Sequence, residues 1–474
     1  MGEQENKELT KETKKIRENF HVFGLATLVY ACVYAFCMHK NDAGIAYLLF
    51  VAAGIFYVKF CMKHLGLSTK KGSLFYVVSM VLLGISTFCT DDARIIFFNK
   101  TGVFLLMIAM VLYNVFETRE WGFTKYMLAM LQSAFMAIGE LFQPFADAVG
   151  FCKTKLGNKG KTILYAVLGV VLSLPVFAVV LGLLMSADAV FGDMTENIIS
   201  YLNFGNLFGI IFRVALLFFF AYGVLSYLAK REIKEENIET KKGNPVLAIP
   251  MAGILTALYL VFSVVQILGL FLGKMALPEG YTYARYAREG FFQLLAVSIL
   301  NLILVLAGLY FFKKNRALKV LLTLMSGCTF IMIASSAMRM ILYIQQYHLT
   351  FLRILVLWGL AVLTVLFVGV MIQMYRERFS LFRYSMVVVT VFYLVLSFSH
   401  PDYLIAKYNL AKLEEITATE HSYYSGLSAD AATVLKPYLS EEEAKRLWYE
   451  EDADTVRKFN LSRFVAKRLF EYRK

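Results

Sequence analysis

Arginine carries the chemistry this chain can offer, because a guanidinium presents five donors in a fixed fork that suits phosphate and carboxylate. In Tyr281-Thr282-Tyr283-Ala284-Arg285-Tyr286-Ala287-Arg288, helical spacing puts Tyr281, Arg285 and Arg288 on one face. Ser335, Ser336, Arg339, Tyr343 and Gln346 form a second polar row at helical spacing, and Arg353 follows one short loop later. Arg213 stands inside an apolar run. The acids near such positions are Asp188 and Asp193, Asp91 and Asp92, and Asp402. The chemistry these residues suggest is anion recognition, with Asp188 and Asp402 orienting the arginines through charge-assisted hydrogen bonds.

Each cluster also has a plainer reading. Arg213 fits a snorkelling arginine, or one paired with Asp188 across a short loop. The Tyr281 to Arg288 stretch fits an interfacial aromatic belt, the Ser335 to Gln346 row fits a helix-to-helix seam, and Asp91-Asp92 fits a solvated turn. His348 and His400 lack ligand spacing, so no metal and no cofactor is expected. Gly160-Lys161-Thr162 ends like a phosphate-binding loop, but Lys155 stands where the first glycine is required.

The elements that position these residues are membrane helices. The chain has 474 residues, 59% hydrophobic and 18% charged, with a mean hydropathy of +0.60, which excludes a soluble globule. Its net charge is +13, but residues 400–474 hold 12 Lys and Arg against 13 Asp and Glu, so the excess lies in the apolar part. Basic loops between spans account for it without a nucleic-acid partner. The six cysteines lie in or beside apolar runs without a CxxC pair and read as packing residues.

A span needs about 20 apolar residues. Eleven runs qualify or nearly do: 20–38, 43–62, 72–90, 102–117, 162–187, 206–229, 246–272, 291–312, 318–338, 352–375 and 383–399. Lys and Arg concentrate in alternate loops, as in Lys230-Arg231 to Lys241-Lys242. This places the N-terminus in the cytoplasm and the tail outside, provided 121–150 does not cross. That segment reads as an interfacial helix with Trp121 and Tyr126 at headgroup depth.

The expected fold is thus all-α: a polytopic transmembrane bundle of about eleven spans over 20–399. A cytoplasmic segment precedes it at 1–19, and a small helical extracytoplasmic domain follows at 400–474. In that domain Pro401 suits a first helical position and Ser440 with Glu443 forms a capping box. Leu461, Phe464, Val465, Leu469 and Phe470 mark the apolar face of a last helix.

Four separated stretches carry a resemblance: Leu184 to Asp188, Tyr283 to Phe291, Leu342 to Arg353, and His400-Pro401-Asp402-Tyr403 to Asn409. They resemble a bacterial polytopic membrane family catalogued as a domain of unknown function, number 4173, related to number 4153. Tyr423-Tyr424, Gly426 to Asp430 and Asn460-Leu461-Ser462 are also in its pattern. The resemblance implies a bacterial integral membrane protein and no particular activity. Its recurring polar positions map to Asp188, Arg285, Arg288, Arg339, Arg353, Asp402 and Asn409, and its frequent Asn before Pro-Asp is replaced here by His400.

The first functional expectation is a non-enzymatic protein of the bacterial cytoplasmic membrane, with an outward cationic site for an anionic or lipid-linked ligand in transport, envelope handling or sensing. The second is a transferase using a polyprenyl-phosphate donor, with Asp91 and Asp92 as outward acids. The third is a scaffold or signalling subunit whose tail meets a partner.

Overall fold

The computed structural model describes residues 10–118, 121–155, 204–230, 243–271, 283–376, 378–412, 417–448 and 456–471, with isolated positions between 162 and 195. The chain is an all-α polytopic helix bundle, with nine described helices long and apolar enough to cross a bilayer. Most of the expected span at 162–187 lies outside the described residues, as does Asp193.

A short amphipathic helix, α1 (Lys11–Glu18), precedes α2 (Phe20–Met38), α3 (Ala46–Leu65), α4 (Ser73–Cys89) and α5 (Ala93–Val115). The expected fourth span, 102–117, begins earlier than hydropathy suggested, because Asp92 caps α5 by accepting the Arg94 N–H. Satisfying an orphan donor starts the helix at Ala93, so that Arg94, Asn99 and Lys100 are carried within it.

Between 121 and 155 the chain forms α6 (Phe123–Met136), a 3-10 turn over Ala137–Glu140, and α7 (Gln143–Lys155). The 14 residues of α6 rise about 21 Å, short of a hydrocarbon core about 30 Å thick. Trp121 and Tyr126 do not face outward: they are buried, and Tyr126 stacks on Phe382 with ring centroids 3.6 Å apart. Both rings fill core between helices, where a large apolar area is removed from contact with solvent or lipid.

The later helices are α8 (Phe204–Ala229), α9 (Pro245–Gln266), α10 (Tyr283–Phe311), α11 (Arg316–Tyr347), α12 (Phe351–Tyr375) and α13 (Leu381–Phe398). Helices α2 to α5 and α8 pack around Tyr47, Met80, Leu83 and Leu112, whereas α9 to α12 pack around Leu318, Met325, Met332 and Phe367. Helix α13 packs on α12 of the second group and α4 of the first. Large apolar side chains such as Phe56, Leu247 and Ile254 remain exposed, as a surface facing lipid requires.

The tail contains α14 (Pro401–Leu410), α15 (Ala418–Ser425), α16 (Ala432–Leu435), α17 (Glu441–Trp448) and α18 (Leu461–Glu471). Pro401 occupies the first turn of α14, and Ser440 and Glu443 cap α17 reciprocally. The buried face of α18 is Ser462, Ala466 and Phe470, so the expected face is only partly right: Leu461, Phe464 and Val465 turn outward. The tail core of Ile405, Leu427, Leu435 and Trp448 is completed by Leu349, Phe351 and Ile354 from the bundle.

Contacts sort the helix ends into two sets. At one end Arg17 pairs with Asp147, Thr10 Oγ1 donates to the Ala229 carbonyl, and Lys70 Nζ donates to the Phe116 carbonyl. At the other, Asn460 Nδ2 donates to the carbonyls of Ala43 and Thr90. The 17 residues of α4 separate the two sets by about 24 Å.

Candidate functional site

The end that carries the tail holds two different polar constructions. The first starts where α2 stops. Asn41 Oδ1 accepts the Gly44 N–H, and its Nδ2 donates to the carbonyls of Cys37 and Arg457. Ile45 N–H donates to the Phe459 carbonyl. A Cβ on Gly44 would stand 2.5 Å from the Arg457 oxygen and 2.7 Å from Lys458 Cα, so only glycine lets the two backbones meet.

This seam lays Arg457 and Lys458 of the tail beside His39 and Lys40. Arg457 Nη1 donates to the Phe36 carbonyl. From α8, Arg213 Nη1 donates to His39 Nδ1 at 2.9 Å, which requires the imidazole to be neutral at that nitrogen. Removal from solvent, followed by the charges of Arg213, Lys40, Arg457 and Lys458, holds the His39 pKa below its ordinary value. The charges of these four residues disfavour a proton on the ring, and Arg213 is the one that contacts it. Among the described residues Arg213 pairs with no carboxylate.

Beneath Arg213 lies a cavity of about 470 Å3 between α2, α3, α5 and α8. Lys100, Asp42 and Arg213 line its polar part, and Lys100 Nζ stands 3.4 Å from the largely exposed Asp42. An exposed pair of this kind contributes about 0–1 kcal/mol, so it does not immobilise Lys100. Tyr30 forms a wall of the cavity, stacked between Phe50 and Tyr57 at 5.4 and 4.9 Å. Gly54 leaves room for the Tyr30 hydroxyl, since a Cβ there would approach it to 2.8 Å.

The second construction fastens the tail. Asp402, almost fully buried, accepts from Arg94 Nη2 and from the Ser428 N–H at 2.9 Å, while Arg94 also pairs with Asp92 at 2.7 Å. Asp91 pairs with Arg463 at 2.6 Å. Asp430 accepts four donors: the Asp91 N–H at 2.8 Å, His400 Nδ1 at 3.0 Å, and the hydroxyls of Thr90 and Ser462. Burial opposes its ionisation, but these hydrogen bonds prevail and hold its pKa below the ordinary value. The bond to Asp430 raises the His400 pKa against the opposing effect of burial. His400 has φ +48°, a left-handed conformation in which Asn and His are both enriched, so either residue fits before Pro-Asp.

Among the described residues, the expected site residues do not gather in one chamber. Asp188 is exposed and accepts its own Phe191 N–H, while Arg213 turns to His39 instead. Asp91 and Asp92 are not a solvated turn, because the tail covers them and both are ion-paired. Asp402 belongs to the fastening. Asn409 also fastens, accepting the Leu349 N–H at 2.7 Å and donating to the Leu349 carbonyl at 2.9 Å. Arg353 donates to the Tyr347 and His348 carbonyls and lies over Tyr343, which closes the end of α11.

Arg339 is buried within the second helix group, where its Nη2 and Ser335 Oγ both donate to Gln266 Oε1. Arg285 and Arg288 stand in the first turns of α10, with side chains outside the described residues. Residues that sequence reasoning missed are Arg94 and Arg463 in the fastening, where Asp430 stands out only within the family pattern, Lys100 in the cavity lining, and His39, Lys40, Arg457 and Lys458 at the seam beside Arg213. The sequence signal for His39, Lys40 and Lys100 is their place at the ends of apolar runs, whereas Arg457 and Lys458 follow an acidic stretch and have none.

These features define an integral membrane helix bundle that carries a helical tail at one end, with a cationic mouth at the seam between them. The chain belongs to the family described as Domain of unknown function (DUF4153), whose model matches residues 77–438. Of the two related numbers suggested by the motifs, it is 4153 that matches. Comparison with curated proteins and with solved structures finds no match.

Proposed function

We propose that the protein is a non-enzymatic component of the bacterial cytoplasmic membrane that binds an anionic or lipid-linked ligand at an outward-facing mouth. The observation that carries this reading is Arg213, which pairs with no carboxylate among the described residues and donates to His39, at the head of a cavity whose charged lining is completed by Lys100 and Asp42. Like charges held together repel, and an anion with several acceptor oxygens offsets that repulsion through charge-assisted hydrogen bonds. The transferase alternative loses support, because Asp91 and Asp92 are engaged with arginines rather than open to an acceptor. Sidedness is supported by the basic loops alone.

Two measurements test the reading. Phosphorus NMR of inorganic phosphate added to the purified chain should show binding that weakens with salt and falls at least about tenfold in Arg213→Gln or Lys40→Gln. Binding unchanged in the double variant refutes the anion site. A phosphatase fused after Lys474 should be active outside the cytoplasm, and activity confined to the cytoplasm refutes the orientation.

A further inference from the structure

Resting on that anion-binding reading, we propose that the ligand is a phosphate-bearing amphiphile drawn from the bilayer, with its head among Arg213, His39, Lys40 and Arg457 and one hydrocarbon chain in the cavity below. The lining changes character with depth. The charged groups of the lining are Asp42 beside Lys100 at 3.4 Å and Arg213 on α8, two cations to one acid, and the walls beyond them include Phe50, Phe104, Met107 and Phe220. A free phosphate satisfies the cations and leaves this apolar wall without contacts, whereas a hydrocarbon chain supplies them.

The dimensions agree with a chain. From Arg213 to Val224 on α8, and from Lys100 to Val111 on α5, the lining extends eleven residues along each helix. Eleven residues rise about 16 Å, close to half of a hydrocarbon core about 30 Å thick. The cavity therefore spans the depth of one leaflet, the reach of a lipid chain whose head lies at the surface. Tyr30, fixed between Phe50 and Tyr57, gives that slot a rigid side. A preformed wall lowers the ordering cost of binding.

The head end is built from two parts of the molecule. Arg213, His39 and Lys40 belong to the membrane helices and their turns, and Arg457 belongs to the tail. An amphiphile seated here touches both, and its phosphate replaces the repulsion between them with shared hydrogen bonds.

The test uses the full-length chain in nanodiscs of mixed phosphatidylglycerol and phosphatidylcholine, with native mass spectrometry counting the lipids retained after release. The expected result is preferential retention of phosphatidylglycerol by at least about tenfold. Ala221→Trp and Leu217→Trp each place an indole in the slot, and both should lose the retained lipid while still binding inorganic phosphate by phosphorus NMR. Arg213→Gln should lose both. Circular dichroism and gel filtration matching the unmodified chain confirm that each variant folds. Lipid retained equally by the unmodified chain and both filled variants overturns the chain slot and leaves the anion site standing. Loss of phosphate binding in the unmodified chain overturns both readings. Equal retention of the two lipids overturns the choice of an anionic amphiphile.

Discussion

Replacing Asp430 should release the tail from the bundle, and the size of the effect follows from its partners. The carboxylate is buried and accepts four donors, from Thr90, Asp91, His400 and Ser462. A hydrogen bond to a charged group contributes about 1.5–3 kcal/mol, and such bonds in one network do not add. Asp430→Ala strands all four donors together and should cost about 3–5 kcal/mol, the range for breaking a buried charged pair. That is about two to three and a half decades in the ratio of docked to undocked tail. Asp430→Asn keeps one acceptor oxygen for two donors, and the Thr90 or Ser462 hydroxyl can rotate to accept from the new amide. It should cost about half as much. Hydrogen-exchange mass spectrometry of α14 and α18 in the full chain reads the opening directly. Exchange in Asp430→Ala within about threefold of the unmodified protein would refute the reasoning.

Other consequences follow from the same contacts. Asn409→Ala removes both hydrogen bonds to Leu349 and should speed exchange in α14 through a loss of about 1–3 kcal/mol; unaltered exchange would show the clamp to be idle. The pH dependence of docking has a definite sign. His400 has a raised pKa, so its contribution is complete below the ordinary imidazole value of 6.5 and is lost as pH rises through the raised value. Asp430 has a lowered pKa, so its contribution is complete above 3.8 and is lost as pH falls through the lowered value. Burial raises the pKa of Asp91, so its contribution is lost as pH rises above 3.8 through that raised value. Asp91 and His400 thus both make docking loosen on the alkaline side, and His400→Asn should abolish the part of that loss that begins above 6.5. Gly44→Ala should separate the seam between α2 and Arg457, detected as faster exchange at 456–459 together with weaker phosphate binding.

Much of the architecture was legible because a bilayer imposes a simple requirement: long apolar runs must be helical to satisfy their own backbone. That requirement identified α2 to α4, α8, α9, α12 and α13 to within a few residues, and α10 and α11 apart from the polar first turns of α10 and the polar last turns of α11. It misjudged the start of α5, because Arg94, Asn99 and Lys100 interrupt the apolar run and the Asp92 cap that starts the helix precedes them. The Ser440 to Glu443 box was legible for the opposite reason, since both partners lie within one turn.

The polar sites divide along the same line. Sequence found Arg213, Asp402 and Asn409 as residues of note, and by itself it determined an all-α membrane bundle with a helical tail. Only the tertiary structure decided their roles. Arg94 meets Asp402 across 308 positions, Arg463 meets Asp91 across 372, and Asn41 meets the Arg457 carbonyl across 416. Apolar periodicity is a local property of the chain, written residue by residue through the cost of exposing backbone to lipid. Charge pairing depends on which helix ends the packing brings within about 4 Å, and no local pattern encodes that distance.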